Sequence, residues 1–279
     1  MNQPRLDKTY TMAELAQLSY ATRKDFIRSS SSPPLVSYCL TNYNRSILGG
    51  REYLPSLVKN LVEDSPAHAE LVITDWYSTD LPLRNWLPDA WTKDLQIIDM
   101  EGKFSLALGK EIACERSNGQ YIFVLDADML VPKGYTQTIL TQLRKGWASA
   151  FPIYFDERED GSIWPTPELL NESTRNQDLW TGEVSQKEAL AALMPDGKQV
   201  DVDSTGGFGC YAFRQSSWPL MRGGFGRTAD KTSWGSEDHE IYNRARSLGP
   251  IWRNWIEGFI SQWHIKEGAF YDLDAPIIK

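Results

Sequence analysis

Three cysteines and three histidines are all that this 279-residue chain contains of the residues that build most zinc and disulfide frameworks. Cys39, Cys114 and Cys210 are widely scattered, form no CxxC pair and leave an odd number, which excludes a zinc ribbon and a disulfide scaffold. They read as small buried hydrophobes in a reducing compartment, so a cytoplasmic location is expected. Long apolar runs are also missing. No stretch approaches the roughly 18–20 residues that cross a bilayer, and the first residues lack the charged-then-apolar order of a signal peptide, so no transmembrane segment is expected. Positive charge is scarce as well: 29 Lys+Arg stand against 37 Asp+Glu, a net charge of −8, with no long basic cluster. That balance argues against bulk nucleic-acid binding.

Aromatic residues are plentiful by contrast, with 11 Trp, 12 Tyr and 10 Phe. Eight of the eleven tryptophans lie from Trp147 onward, so whatever they serve belongs mainly to the second half. With 41% hydrophobic and 24% charged residues the composition is that of a soluble globular protein. The length suffices for one large α/β core or two modest ones.

Thr11 and Glu14 form a capping-box signature, and the apolar spacing that follows predicts a helix from about Thr11 to Arg28. Ser29 to Pro34 reads as a linker or rigid entry turn, making residues 1–34 an appendage to a single domain over 35–279. From Leu35 four short apolar, β-prone runs appear: Leu35–Leu40, Leu71–Thr74, Leu95–Ile98 and Tyr121–Leu125. Helix-length segments separate them, around Tyr53–Val62, after Ser78, and over Ser105–Arg116. This rhythm predicts right-handed βαβ crossovers and a mainly parallel sheet, an α/β fold. After Pro132 the rhythm breaks. One more helix (Tyr135–Arg144), an apolar run from Ala148 to Phe155, a polar stretch from Asp156 to Thr181 and a helix near Ser185–Leu193 follow. Residues 35–132 thus look like a nucleotide-binding half and 133–279 like an acceptor-side half that builds the site.

Asp126-Ala127-Asp128 directly follows the fourth run. Ligands of open α/β sheets bind beyond the carboxyl ends of strands, at a switch in strand order. Two carboxylates two residues apart can face one hard cation that bridges nucleotide phosphates; a solvated acidic turn or a helix N-cap fits the same three residues. A second acidic group lies in Trp234-Gly235-Ser236-Glu237-Asp238-His239-Glu240, where a helix is expected to start. Acids at a helix N-terminus are stabilised by its dipole alone, and a carboxylate held there can also serve as a general base. His264 reads either as a surface residue or as a further ligand for a carboxylate-bound cation. His68 lies in a polar loop and carries no assignment.

Taken in order, these segments resemble an inverting glycosyltransferase of the GT-A fold. Leu40-Thr41-Asn42-Tyr43-Asn44-Arg45 resembles the first-strand motif of family 2 glycosyltransferases. Asp75-Trp76-Tyr77-Ser78-Thr79-Asp80 is similar to their second-strand acidic motif, with Trp76 and Tyr77 where Asp and Gly are commoner. Phe104 to Asp128 resembles the helix and strand that lead into the DxD motif. Gly206-Gly207-Phe208 and the segment from Trp234 to Arg244 resemble the C-terminal region of β-1,4-galactosyltransferases and chondroitin-type polymerases. The likeness runs from about residue 35 to 268. It departs from the galactosyltransferase pattern at Leu106 (an Arg there), at Ser261 (a Met ligand there), and at His239 and Glu240 (further Asp there).

The resemblance implies a Mn²⁺- or Mg²⁺-dependent enzyme that moves a sugar from a UDP-sugar to an acceptor hydroxyl, most naturally on a glycan end. Asp128 and His264 would hold the metal, with Asp126 nearby on metal or ribose. Asp75 would contact uracil or ribose, with Thr41, Asn42 and Arg45 lining the same pocket. Lys110 would contact phosphate in place of the missing Arg, and Ala127, Gly207 and Trp234 would line the nucleotide-sugar. Asp238 would be the base and Glu237 a hydrogen-bond partner of a sugar, with Trp234 and Trp263 offering faces to pyranose rings. A retaining N-acetylgalactosaminyltransferase-like enzyme, a non-catalytic sugar- or nucleotide-binding module and a glycoside hydrolase are the alternatives. A modified nucleobase, a lipid-linked sugar or a protein remains open as acceptor.

Overall fold

The first apolar run beyond Pro33-Pro34 is the central strand. β1 (Val36–Asn42) is buried at every residue, as a strand covered on both faces of a parallel sheet must be. In the computed structural model, residues 33–101, 104–164, 208–222 and 236–264 are described; the helices expected over 11–28 and 185–193 lie outside them. Next comes a two-stranded hairpin, β2 (Ile47–Leu48) and β3 (Arg51–Glu52). Its two-residue turn, Gly49-Gly50, has both residues at positive φ, +62° and +81°, the backbone that tight hairpins require. Helix α1 (Leu54–Asp64) starts with Pro55 in its first turn and buries Leu54, Leu57, Val58 and Leu61, the 3–4 spacing of one apolar face. β4 (Ala69–Asp75) is again buried throughout.

The helix expected after Ser78 shrinks to a single 3-10 turn at Leu83–Asn85 and a four-residue α2 (Leu87–Ala90). Pro82 and Pro88 flank that turn, and a proline removes a helical hydrogen bond and clashes with the preceding turn. β5 (Asp94–Asp99), α3 (Leu106–Arg116), β6 (Tyr121–Val124) and the short β7 (Met129–Leu130) follow. Ser105 caps α3 by accepting a hydrogen bond from Leu108 N at 3.3 Å. Helix α4 (Tyr135–Arg144) matches its expected bounds.

The apolar run Ala148–Phe155 is two strands, not one. β8 (Ser149–Ala150) and β9 (Ile153–Glu157) are separated by Phe151-Pro152, and they join different sheets. Among the described residues there follow β10 (Ile163–Trp164), β11 (Tyr211–Arg214), a 3-10 turn (Gln215–Ser217), α5 (Trp218–Met221), α6 (Ser236–Leu248), β12 (Ile251–Trp252) and β13 (Trp255–Ser261). Among the described residues the large sheet has the order β12-β8-β11-β6-β1-β4-β5, and there only β11 runs against its neighbours. The chain leaves β1 toward β4 and β5, then returns to β6 on the other side. The switch in strand order therefore falls between β1 and β6. A second sheet, β10-β9-β13-β7, lays β13 against the turn that follows β6. Among the described residues no helix is long and apolar enough to cross a membrane.

Core residues sort by the pleat. Val36, Tyr38 and Leu40 of β1 join a cluster with α1 and α4, while Cys39 faces α3 and α6. All three cysteines are buried and free. One buried acid ties the opposite end of the sheet. The Glu70 carboxylate accepts from Ser37 Oγ, from Asn118 N, from Asn118 Nδ2 and Gly119 N at 3.2 Å, and from Gln96 Nε2 at 3.3 Å, so its burial is compensated. Gly119 makes this closeness available. A Cβ there would lie 2.5 Å from Ser37 N and 2.8 Å from Val36 C, both backbone atoms of the central strand. Gly119→Ala is therefore expected to destabilise the protein by roughly 1–3 kcal/mol, seen as a lower Tm in thermal unfolding.

Candidate active site

The carboxyl ends of β1 and β4 meet in register at Asn42 and Asp75. Asn42 Nδ2 donates to Asp75 Oδ1 at 3.1 Å and to Ser78 Oγ at 2.9 Å, and Ser78 Oγ donates to Asp75 Oδ1 at 2.6 Å. Asn42 is fully buried, so it holds Asp75 in place instead of forming an open wall. The Thr41 side chain is likewise packed away, receiving the Thr74 hydroxyl at 3.1 Å. The following loops lock together. Asn44, at φ 49°, accepts from Thr79 N at 2.8 Å, and Asp80 Oδ2 accepts from Ser46 N at 2.7 Å and Ile47 N at 2.8 Å. Beside them Phe104 stacks on Tyr43, with centroids 5.0 Å apart, and meets Trp76 edge-on at 5.6 Å.

Burial pushes the Asp75 carboxyl up, the Ser78 and Asn42 hydrogen bonds oppose this, and Asp99 adds to the rise. A carboxyl raised above its unfolded value binds protons more readily when folded. Its charge therefore costs stability above the folded pKa, and that cost fades as pH falls through the folded value toward the unfolded one. Asp75→Asn keeps an acceptor and removes the charge. It is expected to raise Tm at pH 7, with the gain shrinking toward pH 4 in thermal melts across that range.

The switch point carries the charged centre. Helix α3 lies close on β1 because residue 109 is glycine: a Cβ there would stand 2.5 Å from Thr41 Cγ2 and 2.6 Å from Thr41 Oγ1. The next residue, Lys110, is 1% exposed, and its ammonium lies 3.0 Å from Asp126 Oδ1, 3.2 Å from Gly209 O and 3.5 Å from Asp238 Oδ1. One buried cation thus joins the first aspartate of the DxD turn to an aspartate at the start of α6. Both carboxylates keep part of their surface open, 28% for Asp126 and 23% for Asp238. Gly209 fits between them. A Cβ there would run into Asp126 Oδ2 and come to 3.5 Å from Asp238 Oδ2. Sequence reading singled out Gly206 and Gly207 and passed over Gly209, although the Gly-Gly-Phe-Gly run was the available signal.

Asp128 faces another way. β13 pairs with β7 through Ser261 and Met129, Gln262 N donates to Asp128 O at 2.9 Å, and His264 Nε2 reaches Asp128 Oδ2 at 3.1 Å. Burial pushes the Asp128 carboxyl up, but the His264 hydrogen bond and the charges of Arg45 and His264 outweigh it and hold the group below the usual range. A carboxylate and an imidazole suit a divalent first-row ion. Asp128 Oδ2 and His264 Nε2 are close enough that both could reach one such ion. Among the described residues no group of three or more His, Cys, Asp or Glu converges.

Of the residues singled out in the sequence, Lys110, Asp126 and Asp238 form one cluster and Asp128 and His264 a separate pair, with Arg45 acting on Asp128 and Ala127 buried. Glu237 lies in the first turn of α6, its side chain outside the description. Gly206, Gly207 and Trp234 fall outside the described residues.

A family model described as "Glycosyl transferase family 2" matches residues 37–195, more than half of the chain. A Bacillus subtilis (strain 168) protein named for teichuronic acid biosynthesis, the glycosyltransferase TuaG, is 31% identical over 132 residues, covering 46% of this chain and 50% of that protein. The fold matches crystal structures of S. aureus TarS residues 1–349. The TM-score is 0.55 at 11% identity, covering 81% of this chain and 60% of that one. For the complex with UDP-GlcNAc it is 0.56 at 10% identity, covering 87% and 61%. The chain therefore spans about half the curated relative and three fifths of those structures. Strand order, the acidic turn at the switch point and the family match converge: this chain belongs to glycosyl transferase family 2.

Proposed function

We propose that the chain transfers a sugar from a UDP-sugar to an acceptor hydroxyl on a glycan, with inversion and with help from Mn²⁺ or Mg²⁺. The observation that carries this reading is the charged centre at the switch point, where the DxD turn and Asp238 share the Lys110 ammonium. The UDP-GlcNAc complex of TarS supports the donor class, and the teichuronic acid name of the B. subtilis relative supports a glycan acceptor. The free, buried cysteines suit a reducing, cytoplasmic setting.

The chemistry assigns each group a task. Asp75 accepts from uracil or ribose at the carboxyl end of β4, about two strand spacings (~10 Å) from the DxD turn. Asp128 and His264 would hold the cation, which when bound neutralises charge on the leaving diphosphate. Arg45 adds positive charge on that side. Asp126, kept in place by Lys110, faces the donor. Asp238 takes the proton of the attacking hydroxyl, and one base opposite the leaving group gives a single displacement with inversion. Glu237 and Trp234 would contact the sugars, with Gly207 allowing close approach of the backbone. Lys110, whose ammonium is shared among protein oxygens, acts by orienting the two carboxylates.

The test is a panel of UDP-sugars with Mn²⁺, read by donor hydrolysis and thermal shift, followed by NMR of the product. Asp238→Asn is expected to lower kcat by about 10²–10⁴-fold with UDP-sugar affinity within a few-fold of wild type. Asp128→Ala is expected to abolish the Mn²⁺-dependent part of UDP binding. A retained anomeric configuration, or full turnover by Asp238→Asn, would remove Asp238 as the base.

A further inference from the structure

One set of side chains converges on the site without belonging to the carboxylate centre. The ladder between β13 and β7 ends at Ser261, so residues 262–264 continue beyond their last strand pair. They are nevertheless tied at three main-chain points from three separate segments. Gln262 N donates to Asp128 O at 2.9 Å, Trp263 N donates to Glu157 Oε2 at 3.1 Å, and Tyr53 Oη donates to Trp263 O at 2.8 Å. Arg51 links the attachments. Its Nη2 lies 2.8 Å from Glu157 Oε2 and donates to Gln262 Oε1 at 3.2 Å, while its guanidinium sits 5.5 Å over the Tyr53 ring. A guanidinium carries donors only, so this contact fixes which end of the buried Gln262 amide is oxygen. The Tyr53 ring in turn meets the His264 imidazole edge-on, with centroids 6.4 Å apart.

We propose that Tyr53, Glu157 and Arg51 are positioning residues. They brace residues 262–264 so that the His264 imidazole and the Asp128 carboxylate form a preset pair of donors for a divalent cation. The inference rests on the metal assignment made under Proposed function. Global stability is a poor explanation for the Arg51 arm of the brace, because Arg51 is 39% exposed and an ion pair of such a residue adds little. Placement is the better one. Without the brace, the backbone before His264 must be ordered at the moment of binding, and that cost is subtracted from metal affinity. Groups that orient a metal ligand typically matter about 10–100-fold in affinity when lost.

Mn²⁺ binding to the full chain, followed by loss of the free-ion EPR signal with and without UDP, tests this. Tyr53→Phe and Glu157→Gln are each expected to weaken Mn²⁺ binding roughly 10-fold while Tm in EDTA stays near wild type. Arg51→Met should do the same and Arg51→Lys should recover part of the loss. Affinities within twofold of wild type in all these variants, with His264→Ala still abolishing binding, would overturn the brace and leave the metal assignment standing. So would a fall of Tm in EDTA that tracks the loss of affinity. Absence of Mn²⁺ binding by wild type, or an unaffected His264→Ala, would overturn the metal assignment and the brace with it.

Discussion

The centre of this site is arranged around a buried ammonium. Lys110 leaves water to stand between Asp126, Asp238 and the carbonyl of Gly209, and a cation can be buried at tolerable cost only when such partners surround it. That requirement reaches outward. Helix α3 must lie close enough on β1 to deliver the lysine, which needs Gly109. The chain after residue 208 must come back beside β6, which needs β11 in the middle of the sheet. Helix α6 must start over the same spot. A proposed donor-side acid and a proposed base from distant parts of the chain are thereby held by one charge.

The two proposed functions of the acidic turn are divided between its two aspartates. Asp126 looks toward Lys110 and the large sheet, and Asp128 looks toward His264 and the small sheet. Pro152 lets one apolar run supply a strand to each sheet, so the turn sits where the two layers meet. Flanking it, the loops after β1 and β4 interlock at the proposed nucleotide end through hydrogen bonds of Asn42, Asn44, Ser78 and Asp80.

Much of this was legible in the sequence because it is locally encoded. The four apolar runs are strands, and the runs' spacing already implied parallel crossovers. Asp126 and Asp128 stand at a strand end because the apolar run stops there. Other parts were not legible. The helix after Ser78 yields to two prolines, and the run from Ala148 divides at a third. Thr41 looked like a pocket residue, yet its neighbour across the layer is a glycine whose missing side chain draws the helix onto it. Arg51, Tyr53 and Glu157 carry no motif at all. Their meaning comes from long-range pairing, with more than a hundred residues between Glu157 and the Trp263 amide that it accepts.

The reversed strand β11 has a consequence in the order of synthesis. β6 offers an open edge until β11 arrives to cover it, and the two are far apart in the chain. At roughly 5–20 residues per second, Tyr211 leaves the ribosome several seconds after Val124. During that interval the nascent parallel core has a bare apolar border of the kind that invites pairing with other chains. The strand that follows Gly209 into the sheet is thus also the one that covers the open edge of β6 in the growing polypeptide.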